Sequence, residues 1–249
     1  MKTNYHFNLI KKKIMKFRPT TNKYGQSKFP YDSKELLYIN TNLFNIPVII
    51  TSDLHSHSIE LFERLRETNI DLTKYIIIMV GDMAGNYIRG SDGNPTEFYN
   101  YLLEEIKVKD IIIIQGNHDL PPEDSDLSDL KKNVIKNKIL KNGSITSYEN
   151  LGKIGGVNGT ISNKIHPYKI SQDKYLGYLK KYIGKKIDIL LTHDTPKFEN
   201  FVGREEIYNM VLKIKPLIYI YGHCHHKKMH SIHKNIHFLN VDGRVLVIN

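Results

Sequence analysis

Five short segments of this chain place Asp, Asn or His directly after an apolar run. Thr51-Ser52-Asp53-Leu54-His55 follows the first run and Gly81-Asp82 the second. Gly116-Asn117-His118-Asp119 follows the third, Thr192-His193-Asp194 the fourth and Gly222-His223-Cys224-His225 the fifth. Carboxylate, amide and imidazole donors in one set suit divalent first-row metals. Asp53 and His55 are two apart, so an extended backbone turns both to one side, and His223 and His225 share that spacing with Cys224 facing away between them. Gly81, Gly116 and Gly222 each precede a donor and permit the sharp turn and close backbone approach that a metal at a strand end needs. There are donors enough for two metals, and a pair ~3.5–4 Å apart can clamp a phosphate and generate a hydroxide nucleophile.

The elements that must carry these donors are legible in the pattern. The runs at 46–50, 75–80, 110–115, 187–191 and 217–221 are short and almost continuously apolar, the third with four consecutive isoleucines. Such runs fit strands buried on both faces. Helical patterns lie between them. Ser58 opens one over 58–68, with Ile59, Leu61, Phe62 and Leu65 on one stripe. Asn94-Pro95-Thr96-Glu97 opens the next, with proline in the first turn. Others are expected from about Ser125, after the break at Pro121-Pro122, and over 171–182 and 203–214. Residues 145–162 read as short strands and turns, and 236–240 and 245–248 as two strands around Asp242-Gly243. Strands alternating with helices predict a layered α/β domain. In open α/β sheets the ligand crevice lies beyond the C-terminal strand ends, where the five segments sit. Residues 1–44, with Pro19, Pro30 and no clear period, read as an N-terminal extension, partly flexible or wrapped on the domain surface, ahead of a domain over 45–249.

The chain has 249 residues, 40% hydrophobic and 25% charged. That excludes a wholly disordered chain, a collagen and a disulfide scaffold. With Cys224 alone, no intrachain disulfide and no cysteine-based zinc finger can form. No apolar run approaches the ~18–20 residues of a membrane span, and the opening stretch lacks the apolar core of a secretory signal. The expectation is an intracellular, cytoplasmic protein with no membrane partner. A net charge of +10 and a pI of about 9.3 favour anionic partners such as nucleic acid, nucleotides or phosphorylated substrates. The lysines are nevertheless spread along the chain, and Ile, Lys, Asn and Tyr are abundant together, which is a compositional bias. Lys11, Lys12, Lys13, Lys16 and Arg18 form the dense patch.

The five motifs, in this order over roughly residues 46–226, resemble the calcineurin-like metallophosphoesterases. The resemblance implies a β-sandwich flanked by helices, with two divalent ions, Mn, Fe or Zn, at one edge. It implies that Asp53, His55 and His225 hold one metal, that Asn117, His193 and His223 hold the other, and that Asp82 bridges both. A hydroxide between the metals would attack phosphorus in line. His118 would protonate the leaving oxygen or stabilise the equatorial charge. The implied reaction is hydrolysis of a phosphomonoester or phosphodiester on a phosphorylated small molecule, nucleotide or phosphoprotein. The serine/threonine protein phosphatase branch carries an Asp and an Arg shortly after its second motif, where this chain has Met83-Ala84-Gly85-Asn86. Gln115 stands where that branch has Arg, and Asp119 where it has Glu. These departures weaken the protein-phosphatase reading, leave His118 without an identified orienting carboxylate, and bring the chain closer to phosphodiesterase and nuclease branches.

Two other functions compete with catalysis by a phosphoesterase of small substrates. A nuclease acting on DNA or RNA fits the charge, but no separate nucleic-acid domain or aromatic-basic motif is visible. A catalytically silent scaffold on the same fold has no chemical reason to keep the full donor set. Arg89, in the Gly-rich stretch with Tyr87 after Asp82, is a candidate phosphate contact because guanidinium pairs with phosphate bidentately. Asn158 is a candidate polar contact near the mouth. His57 reads as a solvated start of the following helix and His226 as structural. His6, His166, His230, His233 and His237 read as surface or strand residues. Asp194 either orients His193 or caps the turn before Pro196.

Overall fold

Ile111 and Ile113 point to one side of their strand and Ile112 and Ile114 to the other, and both pairs are fully buried. That is possible only where a sheet is covered on both faces. The computed structural model describes residues 5–17, 32–85, 92–198, 202–224 and 226–249. Its first sheet contains β1 (Phe7–Phe17), β2 (Asp32–Thr41), β3 (Val48–Ser52), β4 (Ile76–Val80) and β5 (Asp110–Ile114). Its second contains β6 (Ile145–Tyr148), β7 (Gly152–Val157), β10 (Ile189–Thr192), β11 (Ile218–Tyr221), β12 (His230–His233) and β13 (Ile236–Asn240). The short strands β8 (Thr160–Ile161) and β9 (Lys169–Ile170) pair with each other, and β14 (Arg244–Ile248) closes the chain.

β14 belongs to the first sheet, whose order is β1-β2-β14-β3-β4-β5; the second runs β12-β13-β11-β10-β7-β6. β3, β4 and β5 are parallel to one another, as are β7, β10, β11 and β13. The sheets stack face to face over a core that includes Ile50, Ile78, Ile112 and Ile114 from one, and Ile154, Leu191, Ile220 and Leu239 from the other. On the outer face of the first sheet, Ile49, Ile77 and Ile111 pack with α1 (Ser58–Arg66), α2 (Thr96–Tyr101) and α3 (Asp129–Lys136). On the outer face of the second, Leu190, Tyr219 and Phe238 pack with α4 (Gln172–Lys180) and α5 (Glu205–Ile214). The architecture is the expected β-sandwich flanked by helices. No helix among the described residues is long and apolar enough to cross a membrane.

The N-terminal reading needs correction. Within 1–44, β2 is an interior strand, parallel to β14 and antiparallel to β1. Leu36 is buried on the helix side and Leu37 and Ile39 in the inter-sheet core. Charged Lys34 and Glu35 and the short run hid this strand from the pattern. Residues 1–4 and 18–31 lie outside the described residues. The tail forms its two strands around a turn at Asp242-Gly243, and because they join different sheets this turn carries the chain from one layer to the other. The third helix begins at Asp129, later than expected, behind Ser128.

Candidate metal centre

β3, β4, β5, β10 and β11 all end on one edge of the sandwich, and each is followed within three residues by a donor. The backbone there is forced into the left-handed region: φ is 56° at Asp53, 53° at His55, 53° at Asp82 and 73° at His223. This conformation costs an L-residue ~1–2 kcal/mol and survives only where neighbours fix it. The neighbours are the other segments. Asp53 N–H donates to Gly81 O at 3.0 Å and His55 N–H to Asp82 O at 2.9 Å. His223 N–H donates to Asp53 Oδ2 at 3.0 Å, and Ser52 Oγ donates to the same oxygen at 2.5 Å. A Cβ at Gly116 would overlap Asp82 Oδ1, and one at Gly222 would overlap Ser52 Oγ. Both glycines are therefore required by close approach.

This bracing brings ligand atoms of Asp53, His55 and Asp82 within 4.8 Å of one another, and does the same for Asp82, His193 and His223. Asp82 belongs to both groups. His193 is fully buried and its Nδ1 donates to Val80 O at 2.7 Å, which turns Nε2 toward Asp82 Oδ2 at 3.2 Å. Fixing one ring nitrogen in this way sets the other as a metal donor. His55 Nδ1 lies 3.3 Å from Ala84 O. Asn117 is buried with Oδ1 unbonded, and His193 Nε2 likewise makes no hydrogen bond among the described residues. His225 lies outside the described residues, as does Arg89.

The electrostatics fit cations at this place. Burial pushes His55 down to about 4, despite Asp82 and Asp53, which favour its charge. Burial and the neighbouring His193 also lower His223. Both rings are thus neutral at pH 7, the form that ligates. Burial opposes the charge of Asp82, but His193, His55 and His118 outweigh it and hold the carboxyl below its usual range. Burial and Asp242 raise Asp53; burial opposes the charge of His193, but Asp82 and Asp53 outweigh it and raise its pKa. Clustered ligand atoms of Asp53, His55, Asp82, His193 and His223, with the unbonded amide oxygen of buried Asn117, make a donor set that divalent cations would complete, displacing the proton from His193.

Two acidic residues complete the edge. Asp119 is fully buried and accepts four backbone N–H groups: Asp82 at 2.9 Å and Gly116 at 2.8 Å on Oδ2, Met83 at 3.0 Å and Ala84 at 3.2 Å on Oδ1. It clamps the second and third segments together. Burial and Asp82 push its carboxyl up to about 7, against the N–H groups of Gly116 and Ala84. Asp92 supplies the carboxylate beside His118, with Oδ1 3.2 Å from Nδ1. Sequence spacing did not reveal it, because Asp92 is ten residues past Asp82 and reaches His118 through a bridge between Gly93 and Asp119. The backbone N–H of His118 also donates to Asp82 Oδ1 at 2.8 Å.

Other expectations change. His57 is not solvated: its ring is buried and stacked on Phe17 of β1 at 4.7 Å. Lys34 of β2 is buried as well and donates to Asp53 O at 2.8 Å. The N-terminal hairpin thus supports the first metal segment. Asn158 is occupied structurally, accepting Gln115 N–H at 2.8 Å and donating to Leu140 O at 2.7 Å. Asp194 serves the turn: it accepts Thr195 N–H and Ile161 N–H and pairs with Arg204 Nε at 3.1 Å, while His193 is oriented by Val80. His166, expected at the surface, has a ring only 8% exposed.

Among solved structures, the chain is similar to TT1561 of Thermus thermophilus, with a TM-score of 0.57 at 15% identity, over 78% of this chain and 88% of that one. It also matches phosphopantetheinyl hydrolase (PptH) from Mycobacterium tuberculosis, with a TM-score of 0.46 at 12% identity, over 79% and 88% of the two chains. No curated protein matches the sequence. The first likeness supports the fold. The family model for calcineurin-like phosphoesterases matches residues 46–227, a span that begins beside β3 and takes in all five donor segments. The chain therefore belongs to the calcineurin-like phosphoesterase family and is a phosphoester-hydrolysing enzyme.

Proposed function

We propose that this enzyme hydrolyses a phosphomonoester or phosphodiester with two divalent cations held at the strand-end edge. The observation that carries this reading is the sharing of buried Asp82 by two three-residue donor groups. Asp53, His55 and His225 would hold one cation, Asn117, His193 and His223 the other, with Asp82 between them. Bound cations would supply Lewis acidity toward the phosphoryl oxygens and a lowered pKa for an attacking water.

The chain's own groups do the rest. His118 is 18% exposed at the rim, with Nδ1 turned to Asp92. That leaves Nε2 to face substrate and to give its proton to the departing ester oxygen. The Asp92 carboxylate beside Nδ1 sets the ring orientation for this transfer. Val80, Ser52 and the N–H of His223 fix the donors, so little reorganisation accompanies the reaction. The substrate class is a phosphorylated small molecule, a nucleotide or a phosphoprotein, and the mixed N/O donors suit Mn²⁺, Fe or Zn²⁺.

The test is hydrolysis of 4-nitrophenyl phosphate and bis(4-nitrophenyl) phosphate by chelated protein, before and after Mn²⁺ or Zn²⁺ is added. Turnover that appears with metal and is lost in Asp82→Asn supports the reading. Turnover that survives chelation, or is indifferent to Asp82→Asn, refutes it.

A further inference from the structure

Asp92 has two imidazole neighbours. His118 Nδ1 lies 3.2 Å from Oδ1 and His166 Nε2 lies 3.3 Å from Oδ2. His166 sits in the segment between β8 and β9, yet its ring is largely buried. Its Nδ1 accepts the backbone N–H of Tyr168 at 3.3 Å. A neutral imidazole that accepts at Nδ1 carries its proton on Nε2. That Nε2 is buried, makes no hydrogen bond among the described residues, and faces the Asp92 carboxylate. At 3.3 Å the pair is close without being well aligned, and catalytic hydrogen bonds are often poorly aligned until substrate is present.

The backbone holds the three residues in this order. Gly93 N–H donates to His118 O at 2.9 Å and Leu120 N–H to Gly93 O at 2.8 Å, so the residue after Asp92 is paired across the Asn117–Asp119 loop. Thr160 N–H donates to Tyr168 O at 2.9 Å and Gly159 N–H to Gln115 O at 2.7 Å, which ties the His166 segment to the same loop. Asp92 is 36% exposed at its side chain, and one imidazole alone would leave its carboxylate free to turn. An imidazole beside each of its two oxygens restricts that freedom.

We infer that His166 is a positioning residue for catalysis: it holds Asp92 against His118, which keeps His118 Nδ1–H on Asp92 and its Nε2 toward the leaving oxygen. The inference rests on His118 acting as the acid. In that step hydroxide forms a new bond to phosphorus as the P–O ester bond breaks and its electron pair leaves with the ester oxygen. The proton on His118 Nε2 passes to that oxygen, and the ring returns to neutral with Nδ1–H still on Asp92.

The experiment compares His166→Ala, His166→Gln, Asp92→Asn and His118→Gln with the parent enzyme, each checked for folding by circular dichroism. Metal-loaded enzyme is assayed on an aryl ester, 4-nitrophenyl phosphate or its diester, and on the matching alkyl ester, whose poor leaving group needs the proton. His166→Ala should lower kcat on the alkyl ester about tenfold or more and change the aryl ester by less than about threefold, with KM held. His166→Gln, whose amide N–H reaches the same oxygen, should restore most of the loss. In parallel, histidine ¹⁵N–¹H correlation spectra of metal-free protein read the His118 tautomer directly, assigned with His118→Gln. The Nδ1–H form should dominate in the parent and mix with the other tautomer in His166→Ala. Equal losses on both esters, or an unchanged tautomer in His166→Ala, would overturn the inference. Leaving-group dependence in His118→Gln but not in His166→Ala would overturn it while sparing the acid role of His118. Its absence from His118→Gln in an active parent would remove both.

Discussion

Asp119 Oδ2 accepts the backbone N–H of Asp82 at 2.9 Å, so the carboxylate that ends one motif fixes the ligand that ends another. The same side chain satisfies Gly116, Met83 and Ala84. Asp119→Ala should leave three buried N–H groups and the half-buried one of Ala84 without an acceptor. At ~1–3 kcal/mol for each group that stays unpaired, a loss of about 3 kcal/mol or more is expected after water enters. Urea unfolding would measure it, and a loss under about 1 kcal/mol would show that the clamp is not structural.

Asp82→Asn should remove metal from both halves of the centre, because both donor groups use this residue. Elemental analysis after metal loading and desalting should fall from about two ions per chain to fewer than one, with circular dichroism unchanged. Retention of a full complement would refute the shared-ligand arrangement.

Removal of residues 1–44 should abolish cooperative folding. β2 lies between β1 and β14, and Leu36, Leu37 and Ile39 fill both cores of the first sheet. Loss of such side chains costs ~1.5–3 kcal/mol each, which exceeds the margin of a typical domain when several go together. A truncated chain that unfolds cooperatively at the parent's Tm would make the hairpin an appendage.

Acid should weaken the fold through His230. Burial, then the facing His237 and Lys228, push its pKa down to about 4. Its ring stacks on His237 with centroids 5.3 Å apart. The unfolded chain therefore binds a proton between pH 6.5 and about 4 where the folded chain does not, and stability falls as pH drops through that window. Urea midpoints should decline less steeply from pH 7 to 5 in His230→Gln than in the parent. Parallel slopes would show that this ring does not contribute.

Gly116→Ala should damage the centre more than the fold around it. The added Cβ overlaps Asp82 Oδ1, so the ligand or the loop must move. Metal affinity measured by competition with a chelator should drop by more than about tenfold. Unchanged affinity would mean that the loop absorbs the methyl group.

Much of this was legible in the sequence because it is local. Apolar runs at β3, β4, β5, β10 and β11 announce buried strands, and Asp, Asn and His directly after them announce the edge where donors collect. Helices α1, α4 and α5 follow from their stripes. β2 was not legible: charged Lys34 and Glu35 precede a short apolar run, Leu36 to Ile39, although Lys34 is buried and bound to Asp53 O. The burial of His57 was not legible because it depends on Phe17, forty residues earlier at the end of β1.

The sequence by itself determined which residues could ligate, on which strand ends, and that the sheets would be covered on both faces. Periodicity encodes a face, and a face is a local property of the chain. Only the tertiary structure decided that β13 and β14 part into different sheets, that Asp82 serves two donor groups, and that Asp92 stands between His118 and His166. Those relationships join atoms far apart in the chain, such as Val80 O and His193 Nδ1 across 113 residues. Spacing along the chain carries no information about such pairs, which exist only once the two sheets have stacked.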